Sequence, residues 1–447
     1  MEAKEPIPLG VSDRRDFLRQ AGAVSLLTAG LSTSSATLAK PAPVQTTARI
    51  VIVGGGAAGL TAASRLTQAL AGAKITVIDG RKQHHYQPGY TLVAAGIKPA
   101  NYVLSETKDY IPKNVEWVEE PAAAIDPEAS KVSTASGNVL EYDYLIVATG
   151  LELNYGAIEG MDTARIGQNG MGSIYHSPAS AAATWQAMSK FVETGGVGLF
   201  GRPVGEMKCA GAPLKYAFIT EDRLRRAGNR NKAELIYMAH NQVLFSVPIV
   251  SEKVRMLFGE RGVNVNYGHV LTSIDLEKRI ARYRTANGII EQGYDFINVV
   301  PPMRAPEVIR NSPLPWREGA WAPDGWVEVD PQTMRHKRYS NVFAVGDIAG
   351  VPKGKTAASV KWQVPVAIDH LVAEIGGKTS DSIYNGYTSC PLITQLGRAM
   401  LIEFDYKDNL VQSFPGIIAP LEELWVSWVM KTMALKPTYI SMIRGVA

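Results

Sequence analysis

The chain has 447 residues, of which 46% are hydrophobic and 20% charged, so it can bury the cores of at least two globular domains. Its net charge of +4 comes from basic and acidic residues that are interleaved without a long basic run, which excludes nucleic acid as an expected partner. Only two cysteines, Cys209 and Cys390, are present, which excludes a disulfide framework and a cysteine-rich metal site. The seven histidines have no metal-ligand spacing, so no metal is predicted.

The first predicted element is an export signal over residues 1–39. Arg14 and Arg15 are followed by an apolar stretch at 21–31 and a run of small residues, which is the pattern of a twin-arginine signal with cleavage near Ala39. Twin-arginine export carries folded proteins, so the pattern predicts a mature protein on the periplasmic side of the cytoplasmic membrane. A basic tail without a targeting role is the alternative.

A nucleotide-binding turn is predicted next. Residues 49–66 read as an apolar strand, a glycine-rich turn and the start of a helix, with G-x-G-x-x-G spacing in the turn. Such glycines let the backbone approach a pyrophosphate at the helix N-terminus. The following strand ends in an acid, where a carboxylate can bind ribose hydroxyls. The predicted binding residues of this segment are Gly54, Gly55, Gly56, Ala57, Gly59 and Asp79.

Two later strand ends complete the pattern. One apolar strand ends in A-T-G at Thr149 and Gly150, and the segment Y-S-N-V-F-A-V-G-D ends at Asp347. In this order, the motifs resemble those of flavoproteins with two dinucleotide-binding domains, in which the second aspartate holds the ribityl chain of FAD. The resemblance implies an α/β fold with two Rossmann-like domains, as in glutathione reductase, and FAD that is bound non-covalently.

A second G-x-G-x-x-G spacing occurs at Gly196, Gly198 and Gly201. Gly198 falls inside the predicted strand V-G-L-F, and the turn after that strand is long and contains Pro203. No glycine triplet therefore stands at the start of the following helix to cradle phosphates. This pattern predicts a second nucleotide-type domain that has lost its nicotinamide site.

The two cysteines have two possible roles. A single long-range disulfide between Cys209 and Cys390 would suit an exported protein. The alternative is a reactive pair, because Cys209 lies at a predicted strand-to-helix turn. There the helix dipole, together with Lys208 and Lys215, would lower the pKa of its thiol.

Several segments resemble one family of enzymes. They include H-H-Y-Q-P-G-Y, K-C-A-G-A-P-L-K, G-K-T-A-A-S-V and Y-T-S-C-P-L, and the likeness extends from about Ile50 to the C-terminus. These segments resemble sulfide:quinone oxidoreductases, in the branch that includes the mitochondrial enzymes. The resemblance implies an enzyme that oxidises sulfide, passes two electrons through FAD to a membrane quinone and delivers sulfane sulfur to an acceptor.

The same resemblance assigns roles to individual residues. It makes Cys209 and Cys390 the catalytic pair, with Cys390 facing the flavin and Cys209 carrying the persulfide. It also implies that Gln87 and Ala122 line the FAD. Lys355 is expected beside the isoalloxazine, where a cation would stabilise the reduced flavin.

Three other functions stay open at this point. The flavoprotein subunit of flavocytochrome c sulfide dehydrogenase would tether FAD through a cysteine, but H-H-Y-Q-P-G-Y contains none. A type II NADH:quinone dehydrogenase would need the missing nucleotide turn. A flavin-bearing sulfur carrier would bind polysulfide without turnover.

The C-terminal segment predicts a membrane contact. Leu421, Leu424, Trp425, Trp428 and Val429 fall at helical spacing, which is typical of a monotopic amphipathic helix. A helix that packs in the core or in a homo-oligomer is the alternative.

These elements divide the chain into five segments. They are a signal peptide at 1–39, the first part of the FAD domain at 48–155, a second Rossmann-like domain at 156–300, a return to the FAD domain at 301–385, and a redox-cysteine and membrane-contact region at 386–447. The FAD domain is thus predicted to be discontinuous.

Overall fold

The computed structural model describes residues 42–446, so the predicted export signal at 1–39 lies outside the described residues. A parallel sheet of five strands organises the N-terminal part of the fold. From one edge to the other, its strands are Val342–Ala344, Tyr144–Val147, Arg49–Val53, Lys74–Ile78 and Val115–Val118. The chain therefore leaves this first sheet and returns to it near residue 342.

Two helices pack against each other beside the first sheet, Ala57–Ala69 and Ala357–Ile375. The central strand Arg49–Val53 is buried from Ile50 onward. An unbroken apolar strand of this kind is expected in the interior of a parallel sheet.

A second parallel sheet also has five strands. In order, they are Met171–Gly172, Phe296–Asn298, Gly196–Gly201, Ala233–Ala239 and Val263–Tyr267. The helices that pack on this sheet are Pro178–Thr194, Ala212–Arg226 and Pro248–Glu260. Two parallel sheets with their own helices confirm the predicted α/β fold with two Rossmann-like units.

Antiparallel strands extend both units. The two three-stranded sheets are Ala122–Asp126, Lys131–Thr134 and Val139–Glu141, and Val270–Asp275, Ile280–Thr285 and Gly288–Gly293. A hairpin of Thr388–Gln395 and Arg398–Phe404 packs on helix Ala212–Arg226. Because this helix begins just after Cys209 and the hairpin contains Cys390, the packing brings the two cysteines together.

Short elements connect these units. The short strands are Val44–Gln45, Leu70–Ala71, Gln83–His85, Leu104–Glu106, Glu152–Leu153, Met303–Arg304, Val327–Glu328 and Ala349–Gly350. The short helices are Tyr90–Ala94 and Glu307–Arg310, and the 3₁₀ turns are Gln87–Gly89, Ala100–Val103, Thr107–Tyr110, Tyr155–Ala157, Thr163–Arg165, Arg230–Lys232 and Gly346–Ile348.

The C-terminal segment is helical in three consecutive pieces. They are an α-helix at Trp425–Val429, a π-helical turn at Met430–Ala434 and an α-helix at Leu435–Ile443. The prediction that Leu421 and Leu424 lie on this helix is wrong, because Leu424 pairs with Ala399 in a β-bridge ahead of the helix. Within residues 42–446, no helix is long and apolar enough to span a bilayer.

Hydrogen bonds fix this tail to the first unit. The hydroxyl of Ser64 donates to the carbonyl oxygen of Ile443 (2.8 Å). The imidazole Nε2 of His84 lies 2.8 Å from the hydroxyl of Tyr439. One face of the tail is therefore part of the packed fold.

Candidate active site

The glycine turn after strand Arg49–Val53 forms a cradle at the N-terminus of the first helix. Gly54 has a φ of +110°, and a Cβ atom at Gly54 or Gly59 would overlap backbone atoms, so both positions require glycine. At Gly56 the space is open, since the nearest atom to a Cβ there would be Nη2 of Arg81, at 3.8 Å. The turn thus leaves room for a phosphate-bearing ligand.

Asp79 follows the neighbouring strand and is buried. Its carboxylate accepts hydrogen bonds from the Gly55 N–H (2.5 Å) and from the backbone N–H (2.8 Å) and guanidinium (2.5 Å) of Arg81. Burial opposes its ionisation, but these donors outweigh burial and lower the pKa of Asp79. The residue is therefore an ionised acceptor at neutral pH, as binding of a ribose requires.

Three other predicted residues lie at adjacent strand ends. Thr149 and Gly150 follow the strand that pairs with Arg49–Val53, and Asp347 follows the next strand beyond it. All three strands are parallel and in register, so these residues reach the same edge of the sheet as the glycine turn. Ala57 is the first residue of the helix that begins at this edge.

The remaining predicted residues lie outside the first parallel sheet. Lys355 is buried, and its ammonium group donates to the carbonyl oxygen of Asp347 (2.7 Å). Burial lowers the pKa of Lys355 to about 8. Gln87 accepts a hydrogen bond from Nζ of Lys208 (2.6 Å), and Ala122 is half-buried at the start of its strand.

Cys209 and Cys390 lie side by side as free thiols. A Cβ atom on Gly211 would overlap Sγ of Cys390, so only glycine lets the hairpin approach this turn so closely. Cys209 has a φ of +48°, a left-handed conformation that is uncommon for a residue with a side chain. Such backbone outliers cluster at functional sites.

Two buried lysines act on this cysteine pair. Lys215 Nζ donates to Sγ of Cys209 (3.6 Å), and the charge of Lys431 also acts on both thiols. The hydrogen bond with Cys390 does most to lower the pKa of Cys209 well below its ordinary value, and the two ammonium groups assist it against burial. The same bond raises the pKa of Cys390. These opposite shifts favour the thiolate on Cys209 and the protonated thiol on Cys390.

Comparison with known proteins identifies the family. Residues 48–195 match the family model described as pyridine nucleotide-disulphide oxidoreductase. The mitochondrial sulfide:quinone oxidoreductase of Dictyostelium discoideum is 38% identical over 368 residues, which cover 82% of this chain and 80% of that protein. The chain belongs to the sulfide:quinone oxidoreductase family.

A second relative agrees with this assignment, and a solved structure shares the fold. The mitochondrial enzyme of Mus musculus is 34% identical over 373 residues, which cover 82% of this chain and 80% of that protein. The solved structure from Aquifex aeolicus shares the fold with a TM-score of 0.73 at 22% identity, over 89% of this chain and 92% of that chain. The resemblance inferred from the sequence motifs is thereby confirmed.

Lys431 is a residue of the candidate site that the sequence patterns did not indicate. It is buried, and its Nζ donates to the carbonyl oxygen of Pro88 (2.8 Å). Burial and repulsion from Lys215 lower its pKa to about 8, although the charge of the Cys209 thiolate opposes this shift. The signal in the sequence is a single lysine inside the largely apolar run W-V-M-K-T-M-A-L.

Cys209 contacts the residues that are predicted to bind FAD. The Cys209 N–H donates to the carbonyl oxygen of Lys355 (3.0 Å). Burial raises the pKa of Asp347, and the charge of Cys209 adds to that rise. Cys209 rather than Cys390 is thus tied to the predicted FAD residues.

Proposed function

We propose that this protein is an FAD-dependent sulfide:quinone oxidoreductase with Cys209 and Cys390 as its catalytic pair. The observation that carries the proposal is the contact of these two thiols beside the buried lysines Lys215 and Lys431, next to the strand end that bears Asp347. FAD, when bound, supplies the two-electron acceptor between the dithiol and a membrane quinone.

The residues of the chain fit FAD. The glycine turn leaves a space at the helix N-terminus, and Asp79 offers an ionised carboxylate to a ribose. Both cysteines of the chain belong to the catalytic pair, so none is left to tether a flavin, which supports non-covalent binding. The residues that would hold FAD are Gly54, Gly55, Gly56, Ala57, Gly59, Asp79, Gln87, Ala122, Thr149, Gly150, Asp347 and Lys355.

Gly56→Val is expected to reduce bound FAD by about tenfold or more while the chain still folds. Within the protein, a Cβ at this position meets only Arg81, but the added side chain occupies the space offered to the pyrophosphate. The measurement is flavin absorbance per chain, with circular dichroism to monitor folding. Gly293→Val is the matched control, because a Cβ there meets no atom within 4 Å. Full flavin content in the Gly56 variant would contradict the proposed cradle.

The geometry supports reaction of sulfide at Cys390. When the pair is oxidised to a disulfide, a hydrosulfide ion attacks Sγ of Cys390, and the bond between the two cysteine sulfurs breaks. Cys390 then carries a persulfide, and the electron pair of the broken bond stays on Cys209 as a thiolate. Lys215 stabilises that thiolate. The low pKa of Cys209 makes it the better leaving group. This reverses the roles expected from the sequence.

The second Rossmann-like unit is proposed to bind no nicotinamide. Gly198 lies within strand Gly196–Gly201, as its sequence context predicts. The chain between this strand and helix Ala212–Arg226 carries Cys209, so a catalytic residue takes the position where a phosphate-binding turn would lie.

Electron-donor and acceptor specificity tests the proposed function against its rivals. With decylubiquinone as acceptor, sulfide is expected to support turnover and NADH is not. Turnover with NADH alone would indicate a type II NADH dehydrogenase. Sulfide-driven reduction of a c-type haem protein, without reduction of quinone, would indicate the flavocytochrome subunit. Sulfide binding without reduction of either acceptor would indicate a sulfur carrier.

The compartment is a separate proposal. The relatives from Dictyostelium discoideum and Mus musculus are named as mitochondrial, whereas Arg14 and Arg15 here belong to a twin-arginine pattern. We propose the periplasmic side of a cytoplasmic membrane. Arg14→Lys combined with Arg15→Lys is expected to leave the protein in the cytoplasm, as measured by fractionation of bacterial cells. Unchanged export of the double variant would remove the basis for this location.

Membrane contact is proposed for the outer side of the tail. Met433 is 65% exposed, and Ala434 and Pro437 beside it are also exposed. Lys431, two residues before Met433, is buried against the first unit. An exposed apolar side chain on a helix whose other face is fixed suits a monotopic contact.

Met433→Glu is expected to weaken binding to phospholipid vesicles by about tenfold, because a carboxylate would have to enter the membrane interface. The measurement is co-sedimentation with vesicles at fixed salt. Ile289→Glu, at a residue that is 57% exposed on a separate antiparallel sheet, is the matched control. A point substitution is required because truncation of the tail would also remove Lys431. Equal binding of both variants and the wild type would contradict the contact.

A further inference from the structure

An open pocket lies on the segment by which the chain returns to the first sheet. Its volume is about 420 Å³, which is in the range of sites that bind small molecules. Three arginines line it, Arg310, Arg317 and Arg338, together with Trp316 and several prolines. None of the described residues that line this arginine pocket is a cysteine or a predicted FAD residue, so the pocket is separate from the candidate active site.

The walls of the arginine pocket are held by hydrogen bonding and close packing. Nε1 of Trp316 donates to the carbonyl oxygen of Gly350 (3.1 Å), and the indole packs against that of Trp321, with ring centroids 5.2 Å apart. A Cβ atom on Gly350 would overlap the Trp316 indole, and one on Gly325 would overlap Cγ of Arg310. Only glycine at these two positions lets the lining side chains lie where they do, so the pocket is preformed.

Arg338 is fixed at the pocket by three hydrogen bonds. Its Nε donates to the carboxylate of Glu328 (2.6 Å), and its Nη2 donates to the carbonyl oxygens of Pro313 (2.7 Å) and Pro315 (2.8 Å). The remaining nitrogen, Nη1, is buried and has no hydrogen-bond partner among residues 42–446. Buried donors are nearly always paired, so this one indicates an acceptor that the described chain does not supply.

The other cations of the pocket are only partly neutralised. Arg304 and Arg310 share one carboxylate, that of Glu152, at N–O distances of 2.7 and 3.6 Å. Arg317 is exposed, and no ion pair joins it to any of the described residues. The ammonium group of Lys337 lies 5.0 Å from the ring centroid of the pocket tryptophan and adds a further positive charge.

Nearby carboxyl groups do little to offset this charge. Asp324 stands between two lining residues, but its partial burial raises its pKa and disfavours its negative charge. Glu318, next to Arg317, is exposed and does not line the pocket. The pocket therefore favours an anion over a cation. The paired N–H donors of a guanidinium match the oxygens of a phosphate, and several positive charges together favour a dianion.

We propose that the arginine pocket binds a phosphate monoester. Arg310, Arg317 and Arg338 hold the phosphate dianion, and the organic group lies against the wall that Trp316 and the prolines form. A volume of about 420 Å³ leaves room for such a group beside the phosphate. A soluble metabolite and a lipid head group such as that of phosphatidic acid present the same phosphate to the arginines, so the two sources share one chemistry.

Calorimetric titration of the full-length holoenzyme with glycerol 3-phosphate tests the site at fixed ionic strength. The dissociation constant is expected to be about 1 mM or lower at neutral pH, and to rise as the pH falls through about 6, where the monoester takes up a proton. Arg317→Gln is expected to raise the constant about fivefold or more. Arg317→Lys keeps the charge but loses the paired donors, so its constant is expected to be intermediate. Arg284→Gln, at an exposed arginine of strand Ile280–Thr285, is the matched control and is expected to bind as the wild type does.

Co-sedimentation with phosphatidylcholine vesicles, with and without phosphatidic acid, distinguishes the two sources of the phosphate. Binding of glycerol 3-phosphate that Arg317→Gln weakens and Arg284→Gln does not supports the site and assigns it a soluble monoester. Extra binding to phosphatidic acid with the same dependence on Arg317, without binding of glycerol 3-phosphate, supports the site and assigns it a lipid. If neither ligand binds, or if Arg317→Gln binds both as the wild type does, the proposal is overturned. Thermal melting of the Arg317 variants monitors their folding.

Discussion

Cys390→Ser is expected to lower sulfide-dependent quinone reduction by about a thousandfold or more, because it removes the sulfur that sulfide attacks. Cys209→Ser is expected to lose turnover to the same extent, since the thiolate next to Asp347 is lost. The two variants differ in thiol reactivity. In Cys390→Ser, the serine hydroxyl can still donate to Cys209 and Lys215 remains its partner, so Cys209 is expected to react with iodoacetamide near neutral pH. In Cys209→Ser, the remaining thiol of Cys390 is buried and is expected to react slowly.

Steady-state rates and mass-spectrometric labelling of the two serine variants measure these outcomes. A purely structural disulfide predicts a different result. Both variants would then lose about 5 kcal/mol of stability against unfolding and would keep sulfide-driven turnover. Substantial turnover in either variant would contradict the catalytic assignment of the pair.

Lys215→Met is expected to raise the pKa of the Cys209 thiol and to slow turnover at pH 7 by about tenfold or more. The ammonium group is buried and donates to Sγ of Cys209 at 3.6 Å, so its removal takes away a charge that favours the thiolate. Because the folded protein holds this pKa below its ordinary value, the loss is expected to be greatest at low pH. Activity is expected to recover as the pH rises through the new, higher pKa.

The pH profile of Cys209 alkylation measures the shift directly, without dependence on quinone. Flavin content and the melting temperature monitor folding of the Lys215 variant. Lys278→Met, at a side chain that is 71% exposed, is the matched control and is expected to leave the profile unchanged. An unshifted alkylation profile in Lys215→Met would show that this lysine does not stabilise the thiolate.

The parts of the site that local sequence determines were predictable. The turn at Gly54 and Gly59 follows from glycines that allow close backbone approach, and Asp79 follows from its place at the end of the next strand. Thr149 and Asp347 reach the same edge because parallel strands present their carboxyl ends together. These features depend on spacing along the chain, which the sequence displays.

The parts that depend on long-range packing were not predictable in the same way. Lys431 belongs to a tail whose apolar pattern predicts a surface helix, and only the docking of that tail on the first unit buries the lysine. The proposed roles of Cys209 and Cys390 rest partly on the hydrogen bond from the Cys209 N–H to the carbonyl oxygen of Lys355, and that contact joins segments far apart in the chain. No periodic pattern or motif encodes such a contact.

Anaerobic titration of the wild-type holoenzyme with sulfide, followed by decylubiquinone, tests the central claim most directly. Sulfide alone is expected to bleach the oxidised flavin spectrum, and added quinone is expected to restore it with one quinol formed per sulfide consumed. NADH in place of sulfide is expected to leave the flavin oxidised. A flavin that stays oxidised in sulfide, or that sulfide reduces but quinone does not reoxidise, would contradict the account.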